Sequence, residues 1–152
     1  MKAEFLPIVN KAKKDKDVLA VAVFGSYVRQ EKHRDIDICL ILQEKRTDAD
    51  QRREASKRTG VKTRNNLEMS KKKLEYMKIA GNRIDIQVFQ QLPLYIRHRV
   101  LKEGKIIFCK NKGKLYDVAI GFIKEYEDFK PIYNSYLEAV KTDRRLWRQL
   151  VR

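Results

Sequence analysis

The amino-acid sequence predicts an α/β (α+β) domain, in which one mixed β-sheet of about four strands is flanked by helices and followed by a helical C-terminus. Four short apolar segments have the length and β-branched composition of strands, and the segments between them repeat apolar residues every three or four positions. With 152 residues, 43% of them hydrophobic, the chain can form one compact core but not two ordinary domains. We therefore expect a single domain over residues 1–152, with a basic helical tail at 141–152.

The first predicted elements are a helix and a buried strand. Residues 3–15 repeat apolar side chains at helical spacing, and Pro7 lies near enough to the helix start to be tolerated. Residues 18–24, VLAVAVF, form a continuous valine-rich run, which favours a strand buried on both faces. The strand ends at Gly25-Ser26, where a short helix is expected to begin.

Two later segments alternate apolar and polar residues. Residues 35–42, DIDICLIL, direct four apolar side chains to one face, namely Ile36, Ile38, Leu40 and Leu42. Residues 83–89, RIDIQVF, repeat this pattern. Between them, residues 44–60 carry almost no apolar side chains and are expected to form a mobile loop or an exposed helix. A helix is predicted at 67–78 and ends at Ala80-Gly81-Asn82.

The remaining elements are mostly helical. Pro93 opens a helix that ends at Gly104, and residues 105–109 form a short fourth strand. From Lys114 onward, apolar residues at spacings of three and four predict a helix, which we expect to be interrupted or kinked at Pro131.

The charge and the hydropathy pattern limit the class of protein. A net charge of +15 predicts a surface that attracts anions, which leaves nucleic acid, nucleotide phosphates and an acidic protein as partners. No apolar run approaches the roughly 18 residues of a membrane span, and the N-terminus is not a signal peptide. We therefore expect a cytoplasmic protein without a membrane partner.

The aspartates of the alternating strands are candidate metal ligands. Asp35 and Asp37 stand two apart, so both carboxylates project from one face and can share one or two metal ions. Magnesium prefers such oxygen ligands and completes its shell with water and substrate phosphates. Asp85, on the polar phase of the third strand, would supply a further ligand or polarise an attacking hydroxyl.

A phosphate site is expected where the first strand ends. Gly25 permits close approach of the backbone to a phosphate, and Ser26 can donate its hydroxyl. The N-terminus of the following short helix would favour an anion. Together with the aspartates, this turn indicates a nucleotide bound through its phosphates.

Residues 21–42, VAVFGSYVRQEKHRDIDICLIL, resemble the signature of the DNA polymerase beta-like nucleotidyltransferases, in particular the minimal nucleotidyltransferases of prokaryotes. Residues 83–89 resemble the strand that carries the third aspartate of that family. The resemblance implies a polymerase beta-like fold in which Asp35, Asp37 and Asp85 are catalytic and bind two magnesium ions. It also implies that Gly25, Ser26 and Arg29 bind the triphosphate of ATP.

Many members of this family are antitoxins paired with HEPN toxins, and the active ones transfer AMP from ATP to a toxin tyrosine. The resemblance therefore implies a magnesium-dependent protein adenylyltransferase that acts as the antitoxin of a type VII-like pair. Two departures are visible: Gln30 stands where a glycine is common, and the segment between Ser26 and Asp35 is short for the family.

Alternative functions remain open at this stage. A degenerate active site would leave an antitoxin that acts by binding its toxin alone. The basic composition also fits a nucleic-acid-binding protein or an RNA-directed nucleotidyltransferase. The sequence does not decide whether the protein forms a homo-oligomer.

Overall fold

A computed structural model of the protein describes residues 2–32, 34–43 and 62–150, without the side chains of 62–65 and 147. The chain falls into two compact units, residues 1–115 and residues 116–152. The expectation of a mobile loop or exposed helix at residues 44–60 lies outside the described part of the chain. The prediction of a single domain stays a prediction.

The first unit is a four-stranded mixed sheet with helices between its strands. Among its described residues, the α-helices are α1 (Leu6–Lys14), α2 (Lys62–Ile79) and α3 (Leu94–Glu103), and the strands are β1 (Val18–Phe24), β2 (Ile36–Leu42), β3 (Ile84–Val88) and β4 (Lys105–Cys109). The sheet order is β3-β2-β1-β4. β1 is antiparallel to both β2 and β4, whereas β2 and β3 are parallel. The predicted α/β class and strand number are confirmed.

The core lies on the face of the sheet to which the alternating apolar residues of β2 were predicted to point. Ile38 and Leu40 of β2 share one apolar cluster with Ile8 of α1, Tyr76 of α2 and Ile86 of β3. All seven residues of β1 are buried, as its continuous apolar run predicted. In β2, however, Cys39 and Ile41 are buried as well, so only the Asp37 end of the polar face remains open.

A charged cluster fastens α2 to the start of β1. The ammonium of Lys72 lies 2.9 Å from Oδ2 of Asp15 and 3.2 Å from Oδ2 of Asp17. The hydroxyl of Tyr76 also donates to Asp15, at 3.1 Å. Burial alone would raise the pKa of Asp15, but the hydrogen bonds from Lys72 and the Asp17 backbone lower it below its usual value. The cluster therefore holds α2 against the segment before β1, with the ammonium of Lys72 shared between two carboxylates.

The second unit is helical. Helix α4 (Lys112–Leu150) continues through Pro131, so the predicted interruption there is wrong, whereas the predicted kink stays a prediction. The hydroxyl of Ser135, one turn later, donates to the carbonyl of Pro131 at 3.0 Å. Aromatic side chains stack along the helix, Phe122 on Tyr126 and Phe129 on Tyr133. Within the described residues, no helix is both long enough and apolar enough to cross a membrane.

Candidate active site

A tight turn follows β1 at the point where the phosphate site was expected. Residues Gly25–Tyr27 form one turn of 3-10 helix, and Gly25 has a φ of +79°. The amide of Glu31 donates to the carbonyl of Ser26 at 3.1 Å, so the short segment closes on itself. Glycine is required at its start because the backbone there is left-handed and a side chain would meet Asp37.

The parallel pairing of β2 and β3 brings two of the predicted aspartates together. Asp37 and Asp85 are register partners, and Phe24, the residue before Gly25, is paired with Asp37 from the other side. Neighbouring strands lie roughly 4.8 Å apart, so the two carboxylates and the turn occupy one edge of the sheet. Asp35 is exposed and precedes β2, so its predicted placement on the strand is wrong by one residue.

The electrostatics of Asp37 indicate a site that would accept a cation. Its pKa is raised, first because it is partly buried and then because Asp85 and Asp35 repel its charge. Arg29 opposes the shift only weakly. A carboxylate held close to like charges is stabilised when a positive ion binds beside it.

Arg29, predicted to bind the triphosphate, is engaged elsewhere in this structure. Its guanidinium lies 2.9 Å from Oε1 of Glu31 and 3.2 Å from Oε2 of Glu103. The hydrogen bonds from Arg29 lower the pKa of Glu31. Sequence reasoning missed both glutamates: Glu31 could have been noticed as a neighbour two positions away, but no sequence pattern connects Arg29 with Glu103.

Gln30 occupies a conformation that favours glycine. Its φ is +59°, and it is the only residue other than glycine with a positive φ in the described part of the chain. The left-handed region costs a residue with a side chain about 1–2 kcal/mol. Glycine is common at this position in the family, so the presence of Gln30 leaves the backbone strained here.

The donor chemistry fits magnesium, since Asp37 and Asp85 offer hard oxygen ligands at one edge of the sheet. Among residues 2–32, 34–43 and 62–150, no three acidic, histidine or cysteine side chains are grouped so that they could hold a metal ion. The structure thus pairs Asp37 with Asp85 but does not gather Asp35 into a three-carboxylate cluster. The roles of the three aspartates, and of Gly25, Ser26 and Arg29, stay predictions.

Comparison with known proteins agrees with this architecture. The family model of the polymerase beta nucleotidyltransferases matches residues 7–113. A Methanocaldococcus jannaschii protein, provisionally named a protein adenylyltransferase, is 33% identical over 93 residues. The match covers 60% of this chain and 56% of the relative, so the chain spans little more than half the length of that protein.

Solved structures of toxin–antitoxin complexes have a similar fold. A chain of a mutant MntA-HpeT complex superposes with a TM-score of 0.60 at 13% identity, over 93% of this chain and 98% of that one. A toxin–antitoxin structure with AMP-PNP gives 0.56 at 17% identity, over 92% and 99%. A complex of the tri-AMPylated Shewanella oneidensis HEPN toxin with its MNT antitoxin gives 0.55 at 14% identity, over 91% and 98%.

Proposed function

This chain belongs to the polymerase beta nucleotidyltransferase family, and we propose that it transfers AMP from ATP to a tyrosine hydroxyl of a partner HEPN toxin. The proposal makes the protein the antitoxin of a type VII-like pair that acts in the cytoplasm. The name of the Methanocaldococcus jannaschii relative supports the adenylyl transfer. The complex that contains a tri-AMPylated HEPN toxin supports the class of acceptor.

The observation that carries the proposal is the register of Asp37 with Asp85 beside the Gly25 turn. In the reaction, the hydroxyl oxygen forms a bond with the α-phosphorus of ATP, and the bond from that phosphorus to the oxygen bridging the β-phosphate breaks. Pyrophosphate leaves, and the hydroxyl proton passes to a carboxylate or to water. Such a transfer depends mainly on positioning and on stabilisation of phosphate charge.

Each residue of the site has a role in this scheme. Gly25 and Ser26 hold the triphosphate, the former by close backbone approach and the latter through its hydroxyl. Asp85 polarises the attacking hydroxyl by accepting a hydrogen bond from it. Its carboxylate lies beside Asp37, on the neighbouring strand. Asp37 and Asp85, joined by Asp35 if it moves towards them on binding, would hold two magnesium ions, which would supply positive charge beside the phosphate oxygens.

The test is incorporation of label from α-labelled ATP into a purified HEPN protein in the presence of magnesium. We expect AMP on a tyrosine of the partner, and loss of at least about 100-fold in rate for Asp35→Asn, Asp37→Asn and Asp85→Asn. Asp128→Asn, an exposed change on α4, is the matched control and should label normally. Equal labelling by the site variants and the wild type would rule out the proposal.

A second candidate is an antitoxin that acts by binding alone. It is favoured by the ion pairs that occupy Arg29 and by the strained Gln30. In this case, Asp37→Asn would still form the complex with the toxin and still protect cells that express it. If Asp37→Asn binds the toxin but no longer protects, catalysis is required and the first candidate stands.

A further inference from the structure

Asp85 accepts a hydrogen bond from Gln87, a residue on the same strand. Asp85 and Gln87 stand two apart on β3, so their side chains project from the same face of the sheet. Oδ2 of Asp85 accepts a hydrogen bond of 2.8 Å from Nε2 of Gln87. Both residues are half-buried, so the bond is partly shielded from water.

A lysine on α2 fixes the orientation of this amide. Nζ of Lys73 donates to Oε1 of Gln87 at 3.3 Å. The ammonium can only donate and an ionised carboxylate can only accept, so the two ends of the amide cannot be exchanged. Flipping Gln87 would place its oxygen against the carboxylate and its nitrogen against the ammonium.

From this geometry we propose that Gln87 is a positioning residue for Asp85, and that Lys73 acts through Gln87. The inference rests on the proposed function, because it assigns Asp85 to the reaction. With one oxygen tied to Gln87, the carboxylate has a restricted rotation about its Cβ–Cγ bond. Its plane is then set before ATP and the acceptor bind.

The neutral amide between the two charges has a chemical advantage. A lysine in direct contact with Asp85 would form an ion pair and compete with a metal ion or a hydroxyl for the carboxylate oxygens. Gln87 is neutral, so it orients Asp85 without neutralising the charge of that carboxylate. The ammonium of Lys73 contacts Gln87, which lies between it and Asp85. Groups that orient a ligand in this way typically change metal affinity or activity by about 10–100-fold when removed.

The test is a double-mutant cycle of Gln87→Leu and Lys73→Met, with Gln91→Leu as the matched control. Gln91 makes its hydrogen bonds to Asn66 and Ser70, away from Asp85. The first readout is AMP transfer to the HEPN partner, measured as kcat and as KM for ATP. The second is binding of Mn²⁺, followed by electron paramagnetic resonance, which does not depend on turnover.

We expect Gln87→Leu to lower kcat by about 10–100-fold and to weaken Mn²⁺ binding by a similar factor, with KM for ATP changed less than about twofold. Lys73→Met should have a smaller effect, and no further effect in the Gln87→Leu background, because it acts only through the amide. Gln91→Leu should match the wild type. Additive effects of the two changes, or an unchanged kcat and Mn²⁺ affinity, would overturn the proposal.

The two readouts separate this inference from the proposed function. If the wild type transfers no AMP but the cycle in Mn²⁺ binding shows coupling, the positioning of Asp85 stands and the adenylyl transfer fails. Lys73→Met replaces a half-buried side chain of α2 by an uncharged one of similar length and should leave the fold intact. One informative variant therefore remains if Gln87→Leu is poorly folded.

Discussion

A β-carbon on Gly25 would lie 2.5 Å from Oδ2 of Asp37, closer than side-chain atoms approach one another in proteins. The turn after β1 and the Asp37 carboxylate of β2 therefore fit together only when residue 25 is glycine. The positive φ of Gly25 adds a second requirement for glycine at the same position.

We predict that Gly25→Ala lowers both stability and AMP transfer. The left-handed backbone and the contact with Asp37 should cost about 1–3 kcal/mol in free energy of unfolding. Displacement of the Asp37 carboxylate should reduce kcat by about 100-fold. Gly121→Ala is the control: a β-carbon there meets nothing within 4 Å, and alanine should stabilise the helix by about 0.5–1 kcal/mol.

Asp37→Asn should stabilise the protein in the absence of divalent cations. Because the pKa of Asp37 is raised in the folded protein, the native state binds the proton more tightly than the unfolded chain does. The stability of the wild type should therefore fall as pH rises from the ordinary value of 3.8 through the folded pKa, and remain lower above it.

The measurement is thermal unfolding of the wild type and Asp37→Asn in EDTA at a series of pH values. We expect the difference in Tm to grow over this range of pH and then level off. Adding magnesium should raise the Tm of the wild type more than that of Asp37→Asn, since a ligand stabilises the state that binds it. A Tm difference that is independent of pH would contradict the cause assigned to the shift.

Gln30→Gly should make the protein more stable. Removal of the side chain relieves a left-handed conformation that costs about 1–2 kcal/mol, so we expect a gain of about 1 kcal/mol in free energy of unfolding by urea denaturation. Lys32→Gly, two residues later, lacks this relief and should instead lose about 0.4–1 kcal/mol. A loss of stability in Gln30→Gly would show that the Gln30 side chain stabilises the turn.

Glu103→Gln should lower the KM for ATP if Arg29 must leave its glutamates to reach the triphosphate. The ion pair is exposed and therefore weak, so we expect KM to decrease by no more than roughly fivefold. Arg29→Met should raise KM and abolish the effect of Glu103→Gln in the double variant. An unchanged KM in Arg29→Met would remove Arg29 from the nucleotide site.

Local patterns predicted much of the first unit. The valine-rich run of β1 and the alternation around Asp37 and Asp85 identified their strands, because spacing along the chain fixes which face a side chain occupies. The ends of the elements were predicted less accurately: β2 begins at Ile36 rather than at Asp35. Pro131 illustrates the limit of a local rule, since the helix continues through it.

By itself, the sequence determined the strand phase of Asp37 and Asp85 and the presence of a glycine directly after β1. Only the tertiary structure decided that β2 and β3 are parallel neighbours, which makes Asp37 and Asp85 register partners. It also decided that Arg29 meets Glu103 and that Lys73 reaches Gln87. The physical reason is that side-chain direction follows from local backbone geometry, whereas strand pairing and contacts between distant elements depend on how the whole core packs.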